Sequence, residues 1–387
     1  MDETTSPERH LAPADAARAA LGWVAFGAWQ IADAHLASPV PAGTLVLALA
    51  VIVGVITVCA FGVVQQAEAL AGRLGDPYGS LVLTLSIVLI EVILIVAVMT
   101  GPGHHATIGR YSVMAVSMII LNLVIGLSLV LGIRHRSMRV NRRGTVAYLT
   151  MITVLIAVGF AIPAWVGRSA GYVGVPRVLV IVGAVVAYAA FLVRQLGPRA
   201  DDFREVDLGL PAVGVVGTGT TGTTGRAPSV RQVLVDHRRE VTIRFTLLVA
   251  TMVPIVALSH GLASLLDDGI ARLGAPATLS GVLIAAIVFL PEGLTSVRAA
   301  LGGELQRVSN LCHGALVSTL ALTVPAVLLA GVVTDEAVVL AESTGNLVIL
   351  AATLALSWWT FTARRITVRH GIVHLAVFGV SVVTVFL

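Results

Sequence analysis

Residues 81–99 read LVLTLSIVLIEVILIVAVM, a run that is apolar apart from two hydroxyls and one central glutamate, Glu91. As an α-helix rising 1.5 Å per residue it spans about 28 Å, close to the hydrocarbon thickness of a bilayer. A carboxylate at the centre of such a helix costs about 2.5–3.5 kcal/mol to insert. A second run, AAIVFLPEGLTSVRAAL at 285–301, places Glu292 in the same situation, directly after Pro291. The two glutamates are 201 positions apart. The same offset carries Ser117 onto Ser318 and Asn122 onto Thr323. Each half of the chain thus has a mid-span glutamate followed, one span on, by two polar side chains five residues apart. Five residues turn a helix by about 140°, which still lets both face one cavity.

The surrounding sequence is of the same kind. Of 387 residues 57% are hydrophobic and only 12% charged, with a mean hydropathy of +0.95. That composition excludes a soluble domain and indicates an all-α polytopic membrane protein with the lipid bilayer as its surroundings. Apolar runs fall at about 19–37, 43–64, 79–100, 111–133, 144–166, 175–193, 245–266, 277–298, 311–333, 341–360 and 371–387. These make about eleven transmembrane helices; the first is the weakest, with Asp33 and His35 near its end. The expected division is an N-terminal arm (1–18), a leading helix (19–37), a first five-helix repeat (43–193), a linker (194–244) and a second five-helix repeat (245–387). The spans that carry Glu91 and Glu292 are five crossings apart, so they run in opposite directions. That is an inverted repeat, which brings its two central groups together near the midplane.

All 25 basic residues are arginine, and 21 of them fall in the N-terminal arm or in alternate loops; only Arg110, Arg168, Arg177 and Arg272 lie in the opposite loops. The positive-inside rule makes the arginine-rich side cytoplasmic, with the N-terminus inside, in a bacterial inner (cell) membrane. Arginines confined to short loops speak against a nucleic-acid partner despite the formal charge of +4. No cleavable signal pattern follows the arm. Within the linker, GVVGTGTTGTTGRAPS (214–229) contains Gly217, Gly219 and Gly222 in G-x-G-x-x-G spacing. A dinucleotide fingerprint needs a strand before it and a helix after it, whereas Thr, Gly and Pro surround this one, so a flexible linker and no nucleotide are expected. Cys59 and Cys312 sit alone on separate spans and build neither a disulfide framework nor a zinc site.

Pro291 and Gly293 flank the second glutamate, so span eight is expected to kink or break there, freeing carbonyls beside a carboxylate. Any break in the first half has to lie away from Glu91, near Ser86. Hard cations take oxygen ligands, and two carboxylates with hydroxyl and carbonyl oxygens suit Ca²⁺ better than a softer metal. Glu91 and Glu292 are therefore the expected cation- and proton-binding residues, with Ser117, Asn122, Pro291, Ser318 and Thr323 lining their cavity. Taken singly, Ser117, Ser318 and Thr323 also suit ordinary helix packing.

The stretches AEALAGRLGDPYGSLVLTLSIVLIEVILIVAVM (67–99) and LPEGLTSVRAALGGELQRVSNLCHGALVSTLALTVPAV (290–327) carry a family resemblance. They resemble the two signature regions of bacterial calcium/proton antiporters, and more closely the branch that also handles sodium and potassium, within the cation/calcium exchanger superfamily. The tail RRITVRHGIVHLAVF (364–378) is similar too. The resemblance implies an inverted five-plus-five fold with one extra leading helix, and cation-coordinating acids at Glu91 and Glu292. It also implies that Glu68 stands at the cytoplasmic approach; from the sequence alone Glu68 reads as a helix-surface residue paired with Arg73. In eukaryotic-type calcium/proton exchangers Gly-Asn precedes each central glutamate by four and three residues. Here Ile87 and Val88, then Val288 and Phe289, stand there, which weakens any transfer of calcium selectivity. A glutamine common in the second signature is Ser318 here, and a nearby serine is Ala315.

The expected activity is secondary antiport of Ca²⁺ for H⁺, with Na⁺ or K⁺ exchange on the same scaffold as the alternative and a passive cation channel as a more distant one. Nothing in the sequence suggests an enzyme, and no cofactor is expected beyond the transported ions. Among other polar residues, His104 and His105 read as exposed loop positions, and Glu342 as an interfacial charge reaching the headgroups. His260, His313 and His374 read as packing residues with the capacity to relay protons.

Overall fold

The computed structural model describes residues 13–35, 40–74, 78–99, 107–132, 140–166, 172–197, 199–203, 237–276, 278–334 and 338–385. Most of the arm, His104 and His105, and the Gly/Thr-rich segment lie outside them. The described residues form eleven long helices in the order expected, with a short 3-10 turn at Ala200–Phe203. These are α1 (Pro13–His35), α2 (Ala42–Leu74), α3 (Tyr78–Met99) and α4, built from Ile108–Met118, a π-helical Ile119–Val124 and Ile125–Gly132. Next come α5 (Arg142–Ile156, a π-helical Ala157–Ala161, then Ile162–Val166), α6 (Val175–Leu196), α7 (Arg238–Leu273) and α8 (Thr278–Leu301). The last are α9 (Leu305–Val333), α10 (Thr344–Thr362) and α11 (Val368–Val385). Nine of them are long and apolar enough to cross a membrane; α3 adds an apolar stretch over Leu85–Val96.

The offset of 201 that relates the glutamates also carries α2 to α5 onto α7 to α10, each end within five residues. Burial follows the same correspondence. Of the nine, the innermost are the related pair α4 and α9, 78% and 72% buried, and the most exposed are α6 and α11, each 22% buried. Packing is likewise reciprocal: α3 lies against α9 as α8 lies against α4, and α2 packs along α7. Leading helix α1 lies across α7 and α2, where the Trp23 indole N–H donates to the carbonyl of Ala250 at 3.0 Å.

Helix ends follow local chemistry. Asn141 caps α5 by accepting from the Arg143 N–H at 3.1 Å, and Ser343 caps α10 through the Asn346 N–H at 3.2 Å. Gly274 ends α7 at φ +59°, a left-handed position that glycine adopts without strain. Close packing of α8 on α4 requires Gly281, where a Cβ would come within 2.9 Å of the Ser112 nitrogen.

Two helices extend further than hydropathy indicates. The polar end of α2 and the polar start of α7 continue together on the arginine-rich side. They are tied by Arg73–Glu240 at 2.9 Å, Arg244–Glu240 at 2.9 Å and Arg244 to Gln66 at 3.4 Å. At Pro291 the expectation of a break is corrected: α8 runs unbroken from Thr278 to Leu301 with the proline inside it. A proline removes only one donor from the ladder, and the Thr295 hydroxyl donates to the Pro291 carbonyl at 3.1 Å. Helix α3 is also continuous past Ser86. The irregularities lie instead in α4, whose π-helical turn contains Asn122, and in α5 at Ala157–Ala161.

Candidate ion-binding site

Glu91 projects from the middle of α3 and Glu292 from the middle of α8, 5% and 2% exposed. Both carboxyls are in the interior, and Glu292 is within electrostatic reach of Glu91. Their surroundings supply few hydrogen bonds. The Thr319 hydroxyl on α9 donates to Glu91 Oε2 at 2.5 Å. Glu91 Oε1, Glu292 Oε2 and the Thr323 hydroxyl are buried without a hydrogen-bond partner. An unpaired buried oxygen costs about 1–3 kcal/mol, more when charged, and the natural remedy is a proton or a cation. On α9 the Cys312 thiol, within electrostatic reach of Glu292, donates weakly to Ser296 Oγ at 3.6 Å.

The remaining expected lining residues separate into groups. Asn122 is fully buried, yet its amide is committed to the outer helices of its bundle. It donates to Thr353 Oγ1 on α10 at 2.9 Å, and its oxygen pairs with His374 Nδ1 on α11 at 3.2 Å. His374 Nε2 in turn lies 3.1 Å from the Thr360 hydroxyl. Ser318 pairs with the Tyr188 hydroxyl at 2.8 Å and donates to the Gly314 carbonyl at 3.0 Å. Ser117 bonds back to the carbonyl of Val113 at 2.8 Å. The bonds of Ser318 and Ser117 to carbonyls of their own helices are of the kind also expected of hydroxyls in helix packing. Pro291 is buried beside Glu292. Glu68 is half-buried on α2, and Arg73 binds Glu240 at 2.9 Å.

Thr319 escapes the repeat argument because the 201-residue offset carries it onto Met118, which has no hydroxyl. The chemistry available is that of two buried carboxyls, with the Thr319 hydroxyl on one and the Cys312 thiol within electrostatic reach of the other. Among the described residues no cluster of three or more His, Cys, Asp or Glu side chains is gathered to hold a metal.

Comparison with known proteins agrees with this architecture. Residues 23–197 and 243–387 match the family of the sodium/calcium exchanger protein. Ionic transporter y4hA of Sinorhizobium fredii is 33% identical over 355 residues, covering 90% of this chain and 91% of that one. The sodium-potassium/proton antiporter ChaA of Escherichia coli is 29% identical over 344 residues, covering 87% and 88%. The structure of native YfkE superposes with a TM-score of 0.68 at 15% identity, covering 96% of this chain and 98% of that one. The H⁺/Ca²⁺ exchanger CAX superposes at 0.65 and 12% identity, covering 96% and 89%. Both structural likenesses are of fold. With the family matched across both halves, the chain belongs to the sodium/calcium exchanger protein family.

Proposed function

We propose that this protein is a secondary antiporter exchanging a cation, foremost Ca²⁺, for protons at Glu91 and Glu292. The carrying observation is the pair of buried, mid-helix carboxyls, within electrostatic reach of each other, whose oxygens Glu91 Oε1 and Glu292 Oε2 have no hydrogen-bond partner. Either protons or a cation satisfy them, and one excludes the other. Mutually exclusive occupancy, combined with rocking of one repeat against the other, yields coupled exchange without ATP. Thr319 holds one Glu91 oxygen in place, and Glu68 stands toward the arginine-rich end, where it meets cations on approach. By the distribution of arginines that end is cytoplasmic, the N-terminus is inside, and the membrane is a bacterial inner membrane. The segment between α6 and α7, shorter than the 194–244 expected from the sequence, acts as a cytoplasmic linker between the two repeats.

One observation favours a second ion choice. The relative at 29% identity is named a sodium-potassium/proton antiporter, which supports Na⁺ or K⁺ as substrate on the same scaffold. Sealed inverted vesicles decide between the two. Addition of Ca²⁺, Na⁺ or K⁺ separately is expected to release protons, with Ca²⁺ effective at the lowest concentration. Release by Na⁺ or K⁺ alone overturns the calcium assignment; cation movement without protons overturns antiport.

A further inference from the structure

The arginine-poor end of the molecule holds another buried carboxyl, which the exchange scheme does not use. Glu342 stands just before α10, outside the membrane-spanning helices. Instead of reaching outward, as its position in the sequence suggests, it is turned inward and only 5% exposed. Its Oε2 accepts from Asn346 Nδ2 at 2.8 Å and from the Ser343 N–H at 3.2 Å. Its Oε1 is buried without a hydrogen-bond partner. Arg110 Nε, 3.8 Å from that oxygen, is also buried and unpartnered. The rest of Arg110 is pinned: it donates to the Ala341 carbonyl and to the Tyr111 hydroxyl at 2.9 Å. The pair therefore stops short of a hydrogen bond, leaving one donor atom and one acceptor atom beside a cavity of about 240 Å³. From Glu342 and Arg110 the cavity extends between α4, α8 and α11 to Met118 and Ile119. Met118 Sδ lies 3.5 Å from the Asn122 amide nitrogen, so the cavity ends against the polar network of α4.

We propose that Glu342 is a proton-binding site at the arginine-poor mouth, where protons from that side enter or leave the cavity, with Arg110 as its positioning residue. The inference rests on the antiport reading. A metal fits poorly, because a divalent cation wants six or more oxygens and the guanidinium beside Oε1 repels it. A proton needs one oxygen. It arrives from water at Oε1 and leaves from Oε1 to water, with nothing else consumed. Burial raises the proton affinity of Glu342 above that of an ordinary glutamate, against the opposing effects of Asn346, Arg110 and Ser343. The titratable or charged side chains around the cavity are Arg110 and Tyr111 of α4; α8, α10 and α11 contribute Thr278, Asn346, Ser381 and Thr384, none of which titrates. Asp335 and Glu336 lie outside the described residues.

Purified protein in oriented proteoliposomes tests this, with pH varied on one face while the other is held fixed. Wild type is expected to respond to pH on both faces. Glu342→Gln is expected to exchange more slowly and to lose the response to pH on the arginine-poor face, while keeping the response on the other. Glu342→Asp is expected to restore the lost response. A wild-type profile on both faces for Glu342→Gln, or loss of both responses, overturns the proposal. If Glu342→Gln does not insert, Arg110→Gln decides: removing the guanidinium displaces the arginine-poor-face profile toward higher pH, and an unmoved profile overturns the proposal. Wild-type cation flux without protons sinks the antiport reading instead, which separates the two failures.

Discussion

Asn141 and Glu342 occupy equivalent places, 201 positions apart, each just before a helix of its repeat. Around Asn141, at the arginine-rich mouth, the described side chains bond to and pack on one another. The Asn141 N–H donates to Gln306 Oε1 at 2.6 Å and its amide to the Asp201 carbonyl at 3.2 Å. Nearby, Tyr148 lies 5.2 Å from both Phe191 and Phe203, and those two are 5.8 Å apart, between ring centroids. Around Glu342 the arginine-poor mouth is hollow. The central carboxyls differ in the same way: Glu91 has a hydroxyl donor in Thr319, whereas Met118 occupies the related position. An inverted repeat makes two backbones alike; side chains decide which mouth is packed and which carboxyl is held.

The largest expected effect lies at the packed mouth. Phe203→Ala should cost about 3–5 kcal/mol of stability, the range for truncating a buried phenylalanine. Phe378→Ala should cost clearly less, because Phe378 lines the hollow mouth and its ring already borders empty space. Thermal unfolding in detergent measures both, and equal losses would erase the distinction between the mouths. At the centre, Thr319→Val leaves Glu91 without its donor, worth about 1–3 kcal/mol, or a 5- to 150-fold loss of apparent cation affinity. A cation titration reads this directly, and unchanged affinity would remove Thr319 from the site. Asn122→Leu strands Thr353 and His374 together and should lower stability by about 1–3 kcal/mol, measured by the same unfolding assay. Met118→Thr offers a hydroxyl at the position related to Thr319. It should change affinity by less than about tenfold, and no change at all would mean the two half-sites differ in backbone too. Deleting 214–229 should leave vesicle transport intact, since Gly/Thr-rich sequence buries no core; lost transport by an inserted mutant would assign that segment a role.

The fold was legible because hydropathy marks what lies in the bilayer, and a repeated glutamate marks the two halves. The helix ends were less so: α2 and α7 continue beyond the apolar stretch on charged and amide side chains whose partners lie about 170 residues away. Glu91 and Glu292 stood out as carboxylates in lipid-length helices, but Thr319 is invisible to a repeat search because methionine occupies the related place. Asn122 was visible as a buried amide, while its partners on α10 and α11 depend on tertiary packing. Pro291 signalled a break that a continuous α8 absorbs, and the π-helical turn at Asn122 has no local marker. Glu342 reads as interfacial until Arg110, distant in sequence, closes over it.

Competition between protons and the cation for Glu91 and Glu292 is tested most directly by measuring apparent cation affinity across pH for wild type, Glu91→Gln and Glu292→Gln. Each glutamine keeps the shape but removes a titrating oxygen, and a neutral amide is easier to hold in the membrane than an ionised carboxylate. Wild-type affinity should fall as pH falls and level off once both carboxyls are ionised, while each mutant should insert normally and lose proton-coupled exchange at every pH. A mutant that retains pH-dependent exchange at the wild-type level would show that protons travel by another route, with His260 and His313 the next residues to replace.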